Sequence, residues 1–212
     1  MESKIEIHET ESQYFNPFSH FILRIQEMES KSTHGAAVAS KWTEILYQSL
    51  IRKTYPVIHP IGQETFSLYA EFPMGVFEFA LDIDGAASII KEKGMKPVKF
   101  LPADIFDAVD QGNINKDPNR IKQNHKNPVM VIQSRYITGN RPYCINGNHR
   151  IFEANRNNDE QIEVFVFKDL EFVPFFYDVL SKAIYFLEID YKSVVFGDSL
   201  IQSEKGAYAF QF

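Results

Sequence analysis

The stretch Tyr143–Ala154 reads YCINGNHRIFEA, and it decides the fold that we expect for this chain. Its apolar start, Tyr143–Ile145, predicts a strand, and the pair Asn146-Gly147 is typical of a turn. The residues from Ile151 to Ala154 fit the first turns of a helix. We therefore predict a strand, a sharp bend at Gly147, where glycine tolerates backbone angles that other residues avoid, and then a helix.

The start of this predicted helix is a candidate phosphate-binding site. Helix N-termini leave backbone N–H groups unpaired and carry partial positive charge, so they attract anions. His149 and Arg150 lie on the same turn, and a guanidinium offers a planar fork of donors that suits phosphate. Gly147, Asn148, His149 and Arg150 are therefore the predicted phosphate- or nucleotide-binding residues. A structural role for His149 is the alternative.

At these residues the chain resembles the ParB/sulfiredoxin-like superfamily. Its members share a strand, a Gly-x-His-Arg or Gly-x-Arg-Arg turn, a helix with alanine near its first turn, and another strand. The corresponding features are Gly147–Arg150, Ala154 and Gln161–Phe167, and the resemblance covers residues 96–170. It implies an α+β fold of the ParB/sulfiredoxin-like kind, in which helices surround a small mixed sheet.

The resemblance implies binding of a nucleotide or phosphate group, but the superfamily has many activities. Sulfiredoxins carry a cysteine where this chain has Asn148, and Cys144 lies earlier, on the predicted strand. Small-molecule kinases and DNA-phosphorothioation regulators of the superfamily usually have aspartate where this chain has Asn146. No helix-turn-helix pattern follows Phe167, which disfavours a sliding DNA clamp.

If the chain is an enzyme, the resemblance implies a phosphotransferase, a nucleotide hydrolase or a nuclease that uses Mg²⁺ with ATP or CTP. His149 and Glu153 are the predicted catalytic residues. Glu153 lies one helical turn beyond Arg150, where it would act as a base or bind Mg²⁺, and an ion pair with Arg150 is the alternative. A non-catalytic regulator is the second hypothesis: a DNA-associated or protein-binding accessory factor of DNA modification or mobile elements.

Composition limits the partners of this chain. Its 212 residues carry a net charge of −6, which argues against a broad electrostatic grip on nucleic acid. Residues 91–156, however, hold twelve Lys/Arg against six Asp/Glu, so DNA stays a possible partner. The single Cys144 excludes internal disulfides. There is neither a long apolar run nor a signal-peptide core, so we predict a cytoplasmic protein without membrane contact.

The chain before residue 96 is predicted to be an extension, and we divide the protein into 1–95 and 96–212. Asn16-Pro17 predicts a helix start, Trp42 a core anchor on a second helix, and residues 65–83 a β-hairpin. Asp82-Ile83-Asp84-Gly85 is interpreted as a turn, with a Mg²⁺ pair on one strand face as the alternative, and no residue is assigned as a metal ligand. The aromatic helix Phe172–Leu187 is predicted to be either core or a homodimer surface. A short basic helix at Asn119–Lys126 and a final edge strand at Tyr208–Phe212 complete the prediction.

Overall fold

The structure, a computed structural model, describes residues 4–110, 114, 127–201, 203 and 206–212. The α-helices are α1 (Lys4–Ser12), α2 (Pro17–Glu29), α3 (Thr33–Ile45), α4 (Ile83–Glu92), α5 (Pro102–Ile105), α6 (Asn148–Asn157) and α7 (Val179–Phe196). The strands are β1 (Thr65–Phe72), β2 (Gly75–Asp82), β3 (Val98–Phe100), β4 (Met130–Gln133), β5 (Pro142–Asn146) and β6 (Ile162–Lys168). The predicted α+β class is confirmed. No helix in these ranges combines the length and apolar character that a membrane crossing requires.

Two compact units form, and they are interleaved along the chain. The sheet unit comprises His59–Leu68 and Ala80–Phe175 together with the N-terminal residues up to Ile7. The helical unit comprises His8–Ile58, Tyr69–Phe79 and Phe176–Phe212. Each unit contains segments from both sides of residue 95. The division into domains 1–95 and 96–212 stays a prediction.

The sheet unit is built on a small mixed sheet with strand order β3-β6-β4-β5. Strand β6 pairs in parallel with β4 and antiparallel with β3, and β4 pairs antiparallel with β5. The connection between β4 and β5 has Gly139 and Asn140 at positive φ. The core of this unit gathers apolar side chains from the sheet, α5 and α6, including Ile105, Val131, Cys144, Ile151 and Val164.

The helical unit packs α2, α3 and α7 against one another. The predicted cap of α2 is confirmed, because the Asn16 side chain accepts a hydrogen bond from the Ser19 N–H at 3.1 Å and Pro17 is the first helical residue. Trp42 is fully buried, as predicted for a core anchor. Its indole N–H donates to Asp190 Oδ2 at 2.9 Å. The apolar residues of α7 that include Leu180, Ala183, Ile184 and Leu187 are buried within the chain.

Two predictions about the C-terminal region are wrong. The aromatic helix begins at Val179 rather than at Phe172, because Pro174 lies inside a 3₁₀ segment, Asp169–Phe175, and proline cannot donate an α-helical hydrogen bond. Asp178 then caps α7 by accepting from the Ser181 N–H at 2.9 Å. The predicted edge strand at the end of the chain is a 3₁₀ turn, Tyr208–Phe210. The predicted helix at Asn119–Lys126 lies outside the described residues.

The β1–β2 hairpin forms as predicted, and its end explains the two aspartates that follow it. Strand β2 ends at Asp82, whose Oδ1 accepts from the Gly85 N–H at 2.8 Å and so caps α4. Asp84 is already helical, so the two carboxylates do not share a strand face. Strand β2 therefore leads directly into α4 through the Asp82 cap, so the predicted turn at Asp84-Gly85 is wrong, and so is the alternative of a Mg²⁺ pair on one strand face.

Candidate functional site

The bend at the start of α6 has the geometry that the sequence predicts. Gly147 adopts φ 98° and ψ 22°, in the left-handed region that favours glycine, and joins β5 directly to α6. The first bond of the helix runs from the Ile151 N–H to the Gly147 carbonyl at 3.1 Å. The N–H groups that precede Ile151 are thus not used by the hydrogen bonds of the helix itself, and the helix dipole places partial positive charge at this end.

Buried asparagine side chains fix this bend from both sides. Asn146 Nδ2 donates to the Pro128 carbonyl at 2.8 Å. The Asn148 side chain accepts from the Asp110 N–H at 2.9 Å and donates to the Cys144 carbonyl at 3.3 Å. The Asn148 amide is therefore occupied within the protein, and its contribution to a phosphate site would come from its backbone N–H.

Arg150 folds back over the bend. Its Nη2 atom lies so close to Gly147 that a Cβ built on the glycine would come within 3.0 Å of it. The same atom is buried and makes no hydrogen bond with any residue that the structure describes. Burial lowers the pKa of Arg150, while Cys144 and Glu64 act in the opposite direction. A buried donor without an acceptor costs free energy, and a bound anion would remove that cost.

The remaining predicted residues of α6 are placed differently. His149 is half-buried and has contacts within the protein. Consecutive helix residues point about 100° apart, so the side chains of His149 and Arg150 do not lie side by side. The alternative pairing of Glu153 with Arg150 is wrong, because Glu153 Oε2 lies 2.5 Å from Arg156 Nη2 on the helix surface. The site is therefore centred on Arg150.

Cys144 has no nucleophilic role in this arrangement. Its side chain is fully buried in the core of the sheet unit, and its Sγ donates to the Asn146 carbonyl at 3.2 Å. Burial raises the pKa of the Cys144 thiol to about 12, so the thiolate is scarce near neutral pH. This supports the sequence-based conclusion that Cys144 does not replace the catalytic cysteine of sulfiredoxins.

A polar network from the hairpin and its following helix adds acidic groups that sequence reasoning did not assign to the site. Asn127 Nδ2 donates to Glu64 Oε2 at 2.7 Å and to Asp84 Oδ1 at 2.8 Å. Asp84 Oδ2 accepts from the Glu64 N–H at 2.7 Å. Glu64 is the member of this network whose charge raises the pKa of Arg150. The only sequence signal for this network was the Asp-x-Asp pattern before Gly85.

The tyrosine at the start of the predicted strand also takes part in the surroundings of the bend. The Tyr143 hydroxyl donates to the Asp110 carboxylate, whose backbone N–H is the donor to Asn148. Across the described ranges, no three His, Cys, Asp or Glu side chains are grouped so as to hold a metal ion.

No protein-family model, curated protein or solved structure matches this chain. The similarity to the ParB/sulfiredoxin-like superfamily therefore rests on the turn at Gly147–Arg150 and the order of the elements around it.

Proposed function

We propose that this chain is a ParB/sulfiredoxin-like protein that binds a nucleotide, or another ligand with a phosphate group, at the Gly147–Arg150 turn. The observation that carries the proposal is the Nη2 atom of Arg150, which is buried against Gly147 without a hydrogen-bond partner among the described residues. A phosphate oxygen at the start of α6 would accept from this guanidinium and from the first N–H groups of the helix.

The charge balance around Arg150 supports an anionic ligand. Glu64 supplies one negative charge nearby, yet it makes no hydrogen bond to Nη2 and is itself held by Asn127. A guanidinium that is buried and incompletely paired binds an oxyanion more strongly than an exposed one, because the local dielectric constant is low. Because the site is desolvated, loss of the Arg150 charge would strongly weaken its binding of an anion.

The test is a thermal-shift titration of the whole chain with inorganic phosphate, ATP and CTP, each with and without Mg²⁺. A ligand at one hundred times its Kd stabilises a folded protein by about 2.7 kcal/mol, which is a readily measured shift. We expect at least one nucleotide to stabilise the wild type and to lose that effect in Arg150→Gln. A response to inorganic phosphate equal to that of the nucleotides would show that the site recognises only the phosphate group of its ligand.

The matched control is Arg141→Gln, which removes an exposed arginine of the same unit. It should leave the nucleotide response unchanged. If Arg150→Gln responds like the wild type, the turn is not the binding site. If both variants lose the response equally, the ligand recognises general positive charge rather than this bend.

One observation favours a binding role over catalysis. Position 146 is an amide whose Nδ2 is committed to the Pro128 carbonyl, and the Glu153 carboxylate is paired with Arg156. Neither supplies a free carboxylate for acid, base or metal chemistry. A non-catalytic regulator that associates with DNA is thus the second candidate. Gel-shift assays at two salt concentrations test it, since phosphate contacts produce a steep salt dependence, and measurement of released phosphate tests hydrolysis in parallel.

A further inference from the structure

An open groove lies in the helical unit, beside the start of α2. Its volume is about 360 Å³, within the range of small-molecule binding sites. Most of its lining is aromatic or aliphatic and comes from the N-terminal end of α2, from the segment after α3, and from Leu180 of α7. We call it the α2 groove. Every residue that lines it belongs to the helical unit.

The rim of the α2 groove exposes large apolar side chains. Tyr14 is 84% exposed, Ile51 49% and Phe18 38%, and all three line the groove. Single exposed apolar residues are common on protein surfaces, but three around one opening form a patch of the kind that binds ligands. The groove therefore offers apolar contact area at its mouth as well as on its floor.

One wall of the groove has an unusual backbone. Residues Leu46–Leu50 form a π-helical turn at the end of α3, and the Ile51 N–H donates to the Leu46 carbonyl at 2.8 Å. This wider turn places Leu46, Leu50 and Ile51 on the lining of the groove. Such turns are rare and occur often at functional sites.

Lys53 gives the groove its only charge among the lining residues. It is exposed, and its ammonium makes no hydrogen bond or ion pair with the residues that the structure describes. The other main polar groups are already used: Asn16 Oδ1 caps α2, and the Tyr55 hydroxyl accepts from the Glu78 N–H at 2.9 Å. One unpaired cation thus borders a cleft whose side chains are mostly aromatic or aliphatic, although its accessible surface is polar in comparable part.

We propose that the α2 groove binds a small organic monoanion, an aromatic or alkyl carboxylate, with its apolar body on the aromatic lining and its carboxylate at Lys53. A single cation balances a single negative charge, so a carboxylate fits better than a multiply charged phosphate. The flexible stem of lysine lets its ammonium reach a carboxylate at the mouth of the groove. This site is independent of the Gly147–Arg150 turn.

The experiment is an NMR titration of the isotope-labelled full chain, with assigned backbone signals, using three matched probes. These are 4-phenylbutyrate, its neutral amide 4-phenylbutyramide, and the cation 4-phenylbutylamine. We expect the signals of Phe18, Ile51 and Lys53 to shift, and we expect the acid to bind about fivefold more tightly than the amide, as one partly exposed ion pair allows. The amine should bind most weakly.

Two variants test the role of the cation. Lys53→Gln should remove the preference for the acid over the amide while leaving the binding of the amide unchanged. Lys31→Gln is the control, because Lys31 is also exposed but follows the far end of α2, and a helix of 13 residues spans about 20 Å. A third variant, Ile51→Trp, fills the mouth of the groove from an exposed position and should weaken all three probes.

Several results would overturn the proposal. Equal affinity of the wild type for the three probes would make the groove a purely apolar surface. An unchanged preference for the acid in Lys53→Gln, or shifts confined to residues outside the groove, would place the anion elsewhere. Binding of the peptide acetyl-Glu-Phe-Leu-Glu-amide without any response to 4-phenylbutyrate would assign the groove to a protein partner instead of a small acid.

Discussion

The guanidinium of Arg150 packs directly over Gly147. A Cβ at position 147 would lie 3.0 Å from Arg150 Nη2 and 2.9 Å from Val129 Cγ2. Glycine at this position is therefore required twice, once for its positive φ and once for the space above it.

Gly147→Ala should destabilise the protein by more than backbone strain alone. The left-handed conformation costs an alanine about 1 to 2 kcal/mol, and the overlap with Val129 and Arg150 should add a similar amount. Gly94→Ala is the control, because Gly94 has φ +58° and nothing within 4 Å of a Cβ. Urea unfolding of both variants measures the difference. An equal loss in the two would show that the space above Gly147 is unimportant.

Arg150→Met should separate stability from binding. Methionine keeps much of the apolar contact of the arginine stem but removes a buried, unpaired donor, and we expect the free energy of unfolding to stay within about 1 kcal/mol of the wild type or to rise. Binding of the nucleotide should be lost in the same variant. Chemical denaturation and ligand titration of one preparation give both values. A large loss of stability would mean that Arg150 is mainly structural, with Arg141→Met as the reference for an exposed site.

Asn148→Ala should destabilise the protein because two backbone groups lose a hydrogen bond. The Asp110 N–H and the Cys144 carbonyl would each lose the hydrogen bond that the Asn148 side chain provides, at a cost of about 1 to 3 kcal/mol. Asn155→Ala, on the same helix, should cost less than about 1 kcal/mol. Thermal unfolding compares them, and similar losses would indicate that the asparagine at position 148 does not hold the bend.

Glu64→Gln should tighten phosphate binding if the proposed function is correct. Glutamine keeps an acceptor for Asn127 but removes a negative charge from the surroundings of Arg150, so repulsion of an anionic ligand falls. We expect about a threefold or greater increase in affinity at low salt. The control is Glu163→Gln, whose side chain is exposed and lies 4.0 Å from Lys99. Isothermal titration measures the affinity of both variants for phosphate. The control should match the wild type, and a Glu64→Gln affinity equal to that of the wild type would contradict the prediction.

Asp190 should make the helical unit more stable in mild acid. Burial raises the pKa of Asp190 to about 6, although the N–H groups of Tyr208, Ala209 and Trp42 act to lower it. An acid whose folded pKa lies above its unfolded value gives stability that is fully present below the unfolded pKa of about 4 and is lost as the pH rises through 6. The contribution is roughly 3 kcal/mol at most.

The measurement for Asp190 is the difference in unfolding free energy between the wild type and Asp190→Asn across pH 4 to 7.5. The asparagine cannot titrate, so this difference isolates the single group from other carboxylates. We expect the wild type to lose stability relative to the variant as the pH rises through this interval. A pH-independent difference would show that the folded pKa of Asp190 is not raised.

Local sequence signals identified the bend at Gly147 because glycine, the apolar strand before it and the helical spacing after it act over a few residues. The same holds for the cap at Asn16-Pro17 and for the hairpin at residues 65–83. Sequence spacing could not show that the Asn148 side chain turns inward to Asp110, because that contact joins residues 38 positions apart.

Long-range contacts also explain what was missed. Glu64 joins the network beside Arg150 through Asn127, 63 residues away along the chain, and through Asp84, 20 residues away. Glu153 had two arginines within one helical turn, and spacing alone did not decide between them. In contrast, Pro174 argues from the sequence alone against an α-helix that starts at Phe172. The helix was predicted there because the apolar residues that follow Phe172 recur at helical spacing.

The order of the strands has a consequence for folding kinetics. Strands β4 and β5 are joined by eight residues and can pair early. Strand β3 must wait for β6, since Val98 pairs with Val164, 66 residues further along the chain. The entropy of closing so long a loop delays that pairing, and its three residue pairs provide little to retain it. We therefore expect amide hydrogens of β3 to exchange with solvent faster than those of β4, so that β3 separates before β4 whenever this sheet begins to unfold.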